Sequence, residues 1–261
     1  MNALPTPIDV KLMNLAATAL YSACLVLALA AGAWWALRHP AFAIARITVQ
    51  GDVAHNSAVT LRANVAPRLA GNFFTVNLAA ARQAFESVPW VRQAVVRREF
   101  PNRLRVLLQE HRPVALWGPE TESRLLNSFG EVFEANVGDV EQEELPRLEG
   151  PDTQSSEVLA MYRALEPLFE PLDLSVARVA LTPRGSWQLE LDTGATVELG
   201  RGSLDEVTAR TQRFTLTLTQ LTSRYGRRPE ALVSADLRHG DGYAVRLRGV
   251  GTTAGADATQ K

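Results

Sequence analysis

The four histidines, His39, His55, His111 and His239, are the side chains best suited to proton transfer or metal binding near neutral pH, and their spacing argues against both uses. His39 follows a long apolar run, His55 and His111 stand at the ends of expected strands or loops, and His239 falls in a late turn. No pair has the i, i+4 spacing of a zinc-binding helix, and no Gly-x-Ser-x-Gly elbow marks a nucleophile. The acidic run Asp139, Glu141, Glu143, Glu144 lacks the glycine and the spacing of a calcium loop, so it reads as a solvated loop. The glycine pair in Leu199–Ser203 lacks the third glycine of a dinucleotide site and the Lys-Ser/Thr of a phosphate loop. Glycines that permit a turn into a helix capped by Ser203 explain it more simply. Neither catalysis, nor a cofactor, nor a metal is expected.

Arg92, Arg97, Arg98, Arg103, Arg105 and Arg112 form a second cluster of chemical interest. Glu99 and Glu110 interleave with them, no aromatic residues are spaced for base stacking, and the formal net charge is −1, so no nucleic-acid partner is expected. Long polar side chains on the wet face of alternating strands account for the pattern.

What remains is main-chain chemistry. Tyr243, Val245 and Leu247 alternate with Ala244, Arg246 and Arg248 without a proline, just before a Gly/Ala/Thr-rich tail, residues 249–261, that is expected to be disordered. A last strand of this kind can be a sheet edge with a free row of N–H and C=O groups, open to a partner strand. The residues alone equally allow an edge blunted by its own arginines or covered by the tail.

Several elements must position that strand. Leu12–Leu37 carries no Asp, Glu, Lys, Arg or His, is apolar all round and, as a helix, spans roughly 39 Å, enough to cross a bilayer with tilt. Trp34 and Trp35 close it, and Arg38 follows, as expected of an interface anchor in a single-pass helix after a leader, residues 1–11. The flanking charges leave its orientation open. The only cysteine, Cys24, lies inside this run, so the rest of the chain holds no disulfide.

Beyond the membrane run, residues 42–112 read as β-α-α-β-β: a strand over Phe42–Val49, a helix capped by Asn56 or Ser57, and a helix capped by Asn77. Strands Val91–Glu99 and Arg103–Glu110 follow, joined at Pro101-Asn102. Residues 113–248 read as a second, mixed α/β unit. It has a hairpin around Ser128–Glu131, a helix over Ser155–Phe169, strands over Val176–Thr182, Trp187–Leu191 and Thr196–Leu199, a helix from Leu204 to Arg224, and strands over Ala231–Leu237 and Tyr243–Arg248. The fold class is α+β, with an extended sheet in the second unit.

The PWV opening at Pro89, the Arg-x-Phe-Pro-Asn-x-Leu turn and Glu110-x-x-Pro-Val-Ala-x-Trp117 resemble a POTRA domain of the bacterial FtsQ/DivIB cell-division family. Arg184–Leu189, Leu199–Gly202 and Val233–Arg238 are similar to that family's β-domain. The resemblance implies a non-enzymatic inner-membrane component of the division machinery, with a cytoplasmic N-terminus, periplasmic domains and enrichment at the septum. It implies that FtsB, carried with FtsL, adds a strand at the C-terminal edge. The POTRA unit is expected to meet other membrane division proteins. By position, Arg238, His239, Asp241, Gly242 and Leu247 match family contact positions, and Arg184 matches an arginine that pairs with a partner carboxylate. Tyr243 and Val245 join them as residues of the edge strand itself. The sequence departs from the family at His239 and Leu247, where an aromatic residue and a tryptophan are common.

Overall fold

A computed structural model describes residues 8–140, 145–239 and 242–250. Most of the leader, the bulk of the acidic run (141–144), Asp241 and nearly all of the tail lie outside the described residues. The chain divides into two compact units, one ending at Glu110 and the other beginning at His111.

The first unit opens with α1 (Ile8–Leu37), which begins ahead of the apolar run and takes in Asp9 and Lys11. Among the described residues it is the one helix long and apolar enough to span a membrane. Its polar side chains are partly neutralised within the helix: Thr18 Oγ1 donates to the Asn14 carbonyl (2.7 Å) and Ser22 Oγ to that of Thr18 (2.8 Å). A helix is the one open-ended element that satisfies its own backbone in lipid.

The POTRA-like part has β1 (Arg46–Gly51), α2 (Ala58–Val65), α3 (Leu78–Glu86), β2 (Val91–Glu99) and β3 (Arg103–Glu110). The sheet order is β1-β3-β2, with β1 parallel to the central strand. The first strand starts later than the expected Phe42, because Pro40–Phe42 is a 3-10 turn that Pro40 favours at its first position. Asn77 caps α3 as expected, its side-chain oxygen accepting from the Ala79 and Ala80 amides. Of the two expected cap candidates of α2, Ser57 directly precedes the helix, and Asn56 is buried, its amide donating to Glu110 Oε1 (2.9 Å) and the Pro89 carbonyl (3.2 Å). Leu61, Val65, Phe85 and Val106 form the core between helices and sheet.

In the second unit β4 (Pro113–Trp117), β5 (Arg124–Asn127), β6 (Val132–Phe133) and β7 (Arg147–Glu149) precede α4 (Ser155–Phe169). Then come β8 (Val176–Leu181), β9 (Trp187–Leu191), β10 (Thr196–Gly200), α5 (Leu204–Arg224), β11 (Leu232–Asp236) and β12 (Ala244–Leu247). All nine strands join one sheet, in the order β12-β11-β10-β9-β8-β7-β4-β5-β6. Ser203 caps α5 in a reciprocal box with Glu206. The helices cover one face through Val158, Leu165, Phe169, Phe214 and Leu218, which meet Trp117, Leu189, Val197 and Ala235 of the sheet. The other face is polar. One row of register partners crosses five strands as Arg178, Glu190, Thr196, Ser234 and Arg246.

Candidate partner-binding edge

Strand β12 stands at the end of the nine-stranded sheet and, among the described residues, has β11 as its one neighbour. The Arg248 amide donates inward to the Ala231 carbonyl (2.8 Å). Since main-chain groups alternate sides along an antiparallel strand, the N–H and C=O of Val245 and the N–H of Leu247 point outward, while the Leu247 carbonyl accepts a long bond from the Val250 amide (3.4 Å). Pairing with β11 runs from Ala244 opposite Asp236 to Leu247 opposite Leu232, with a bulge on the β11 side. A bulge near an edge adds local twist.

The side chains of the expected site fall on two faces of this edge. On the helix side, Tyr243 is 37% exposed and packs edge-on against Phe214, ring centroids 5.3 Å apart, while its hydroxyl shares a hydrogen bond with Thr217 Oγ1. Val245 is half-buried against the core. Leu247 is 7% exposed and belongs to the core itself, so it presents main chain rather than side chain to the outside. Gly242 is exposed, with open space where a Cβ would stand, and lies ahead of the paired ladder. Asp241 lies outside the described residues.

On the open face, Arg184 and Arg238 line one groove, together with Gln188, Glu198, Arg201 and Arg210. Arg184 is exposed on the β8–β9 turn, and among the described residues its guanidinium has no hydrogen bond or ion pair. Arg238 chelates Asp236: Nη2 to Oδ2 is 2.6 Å and Nε to Oδ1 is 2.9 Å. These bonds, with the Arg238 amide also donating to Oδ1, hold the Asp236 carboxyl down to about 2, and Asp236 in turn raises the Arg238 guanidinium. His239 follows on the surface. Arg201 and Arg210 were not anticipated. Arg210, from the first half of α5, donates to the carbonyls of Leu199 and Arg201, which fixes the loop between β10 and the helix. Gly200, at φ +79°, makes room for this: a Cβ there would lie 3.0 Å from Arg210 Nη1 and 3.0 Å from Arg238 Cγ. The Leu199–Ser203 loop, which at first glance looks like a phosphate cradle, thus serves to bring arginines together.

Four guanidiniums against the carboxylates of Glu198 and Asp236 leave the groove electropositive, suited to acidic side chains of a bound segment. The histidines are dispersed. His55 stacks on Trp90 (3.9 Å) beside Glu110, His111 stacks on Phe133 (4.1 Å), and His39 accepts from the Ala41 amide. Among the described residues no group of three His, Cys, Asp or Glu is placed to hold a metal.

A POTRA-like unit that follows a membrane-length helix and precedes a nine-stranded mixed sheet defines a class of single-helix, two-domain α+β protein. Residues 42–111 match the POTRA domain of FtsQ type, and residues 115–238 match the C-terminal domain of cell division protein FtsQ/DivIB. The chain is 43% identical to cell division protein FtsQ of Burkholderia pseudomallei over 93% of its own length and 94% of the relative's. It is 39% identical to that of Thiomonas arsenitoxydans, over 94% of its own length and 89% of the relative's. For the Bordetella pertussis protein the identity is 38%, over 92% of each chain. The chain belongs to the FtsQ/DivIB family of cell division proteins, which is not known for enzymatic activity.

Proposed function

We propose that this chain is a non-enzymatic scaffold of the division machinery that captures the FtsB–FtsL pair by strand addition at β12. A C-terminal segment of FtsB forms the tenth strand, and acidic residues beside it meet Arg184 and the arginine groove. The single observation that carries this reading is the outward N–H and C=O of Val245 and N–H of Leu247 at the sheet's end, with the Leu247 carbonyl released once the long Val250 bond gives way. The anchor α1 holds both units on the periplasmic side of the inner membrane, with the N-terminus in the cytoplasm and the protein gathered at the septum. In that place the scaffold links early and late division proteins and, through FtsB–FtsL, helps control septal peptidoglycan synthesis. The POTRA unit is free to meet other membrane proteins of the division site.

The direct test is Val245→Pro. Proline removes an outward amide and no bond to β11, a substitution edge strands tolerate. Gly242 precedes the ladder and would report less directly. In a pull-down with the FtsB C-terminal segment, Val245→Pro is expected to lose capture while the melting profile stays close to that of the parent. Undiminished capture would refute strand addition at this edge.

A further inference from the structure

The β2–β3 hairpin tip carries a large apolar group that the fold does not use. Phe100 is 75% exposed, next to Pro101. It ends a file of aromatic rings: Phe42 meets Phe74 at 4.9 Å, Phe74 meets Phe73 at 5.2 Å, and Phe73 meets Phe100 at 6.1 Å. This file begins where α1 ends. The Asn72 side-chain amide donates to the carbonyl of Leu37, the last residue of α1, and the Phe73 amide donates to the Phe42 carbonyl (2.8 Å). Arg98 fastens the same loop to the hairpin, donating to the carbonyls of Phe73 (2.7 Å) and Val76 (2.8 Å). The Ala45 amide closes on the Asn102 carbonyl at the hairpin turn (2.9 Å). The tip is therefore tied at several points to the chain that leaves α1.

The charges around the tip point the same way. Arg46 and Arg103 are register partners on neighbouring strands at this end of the sheet, both exposed, and among the described residues neither guanidinium has a carboxylate partner. The nearby Glu99 is already held by Arg105 at 2.6 Å. Two like charges side by side are unfavourable unless an anion lies between them. Arg38 sits over the Trp34 ring at 4.1 Å, the arrangement of a helix end at a headgroup layer.

Resting on the membrane-anchor reading of α1, we infer that the hairpin tip docks on the bilayer that α1 crosses. Phe100 enters the interfacial layer, and Arg46 and Arg103 hold anionic lipid headgroups. The POTRA unit is then fixed to the membrane surface rather than swinging from its tether.

The full chain, with Cys24→Ala to remove the native thiol, is to be spin-labelled singly at Phe100→Cys, Val53→Cys or Leu25→Cys and placed in nanodiscs. Discs of phosphatidylethanolamine with phosphatidylglycerol are compared with discs of phosphatidylcholine. Val53 follows β1 at the opposite end of the sheet and reports water; Leu25 reports the span. In anionic discs the label at 100 is expected to show a several-fold higher ratio of oxygen to nickel-chelate accessibility than the label at 53. The Arg46→Glu, Arg103→Glu pair is expected to weaken that immersion by about fivefold per arginine. A label at 100 that stays aqueous while the one at 25 lies in hydrocarbon overturns the docking and leaves the anchor standing. Immersion at 100 that needs an added division protein overturns it in favour of a protein contact. An aqueous label at 25 removes the anchor and the docking with it.

Discussion

Tyr243 meets Phe214 edge to face, ring planes at 84°, so the last strand is held to the helix layer by a side chain just outside its own ladder. Such a pair contributes about 0.5–1.5 kcal/mol beyond the area it buries. Tyr243→Ala is therefore expected to speed exchange at the inward amides of Ala244, Arg246 and Arg248 by several-fold with little change in the rest of the unit. Tyr243→Phe keeps the ring, loses only the bond to Thr217, and should lie close to the parent. Hydrogen-exchange mass spectrometry of the C-terminal peptide distinguishes the two.

Leu247, expected from the family resemblance to meet the partner, is part of the core, and the two roles make different demands. Truncating a buried leucine costs about 2–5 kcal/mol through lost transfer energy and the cavity left behind. Leu247→Ala should lower the denaturant midpoint of the second unit markedly, and any loss of partner capture should track that unfolding. A variant that loses capture at unchanged stability would make Leu247 a direct side-chain anchor instead.

Acid should loosen the edge from the arginine side. The Asp236 carboxyl, held at about 2 by Arg238, lies below its ordinary 3.8, so the pair stabilises the fold above that ordinary value. The contribution fades as the pH falls from about 4 toward about 2, when the folded carboxyl protonates. Asp152, held low by Arg124 and then by the Trp117 indole, acts in the same direction. The expected result is a decline in melting temperature across that window that is shallower in Asp236→Asn. A carboxyl titration by NMR checks the assignment, and an Asp236 midpoint near the ordinary value would refute it.

Glu110 closes the first unit from within. It is 4% exposed, and its two oxygens accept from the amides of His55 (3.0 Å) and Asn56 (3.1 Å) and from the Asn56 side chain (2.9 Å). Glu110→Gln removes the charge and, with its oxygen kept toward Asn56, sets an NH2 donor against the His55 amide. Leaving such groups unsatisfied costs about 1–3 kcal/mol. The melting transition of the first unit should fall accordingly, and Glu110→Asp, too short to reach both amides, should not restore it.

The long elements were legible in the sequence where a pattern ran far enough: α4 follows its apolar stripe, α5 its stripe and the Ser203 cap, and β3 its strict alternation. Strands β4 and β7 were not. β4 opens on Pro113 and β7 is three residues between prolines, so neither is long enough for a pattern, and both are set by neighbours distant in sequence. The residues of β12 left an open edge and a covered one equally allowed, and its place at the sheet's end is set by its pairing with β11. Arg201 and Arg210 escaped notice because one lies in a loop and the other on a helix, and only the fold brings them beside Arg184. The bond that buries Asn56 was not legible, because its partner is a carboxylate fifty-four positions away.

The two ends of the large sheet are unequal. At one lies β12, four residues long; at the other lies β6, with two. A two-residue strand offers fewer outward main-chain groups than a four-residue one, so among the described residues β12 is the terminus better suited to take a further strand. Joining two copies sheet to sheet through β6 would leave little main chain to pair, an asymmetry that disfavours fibre growth by this route.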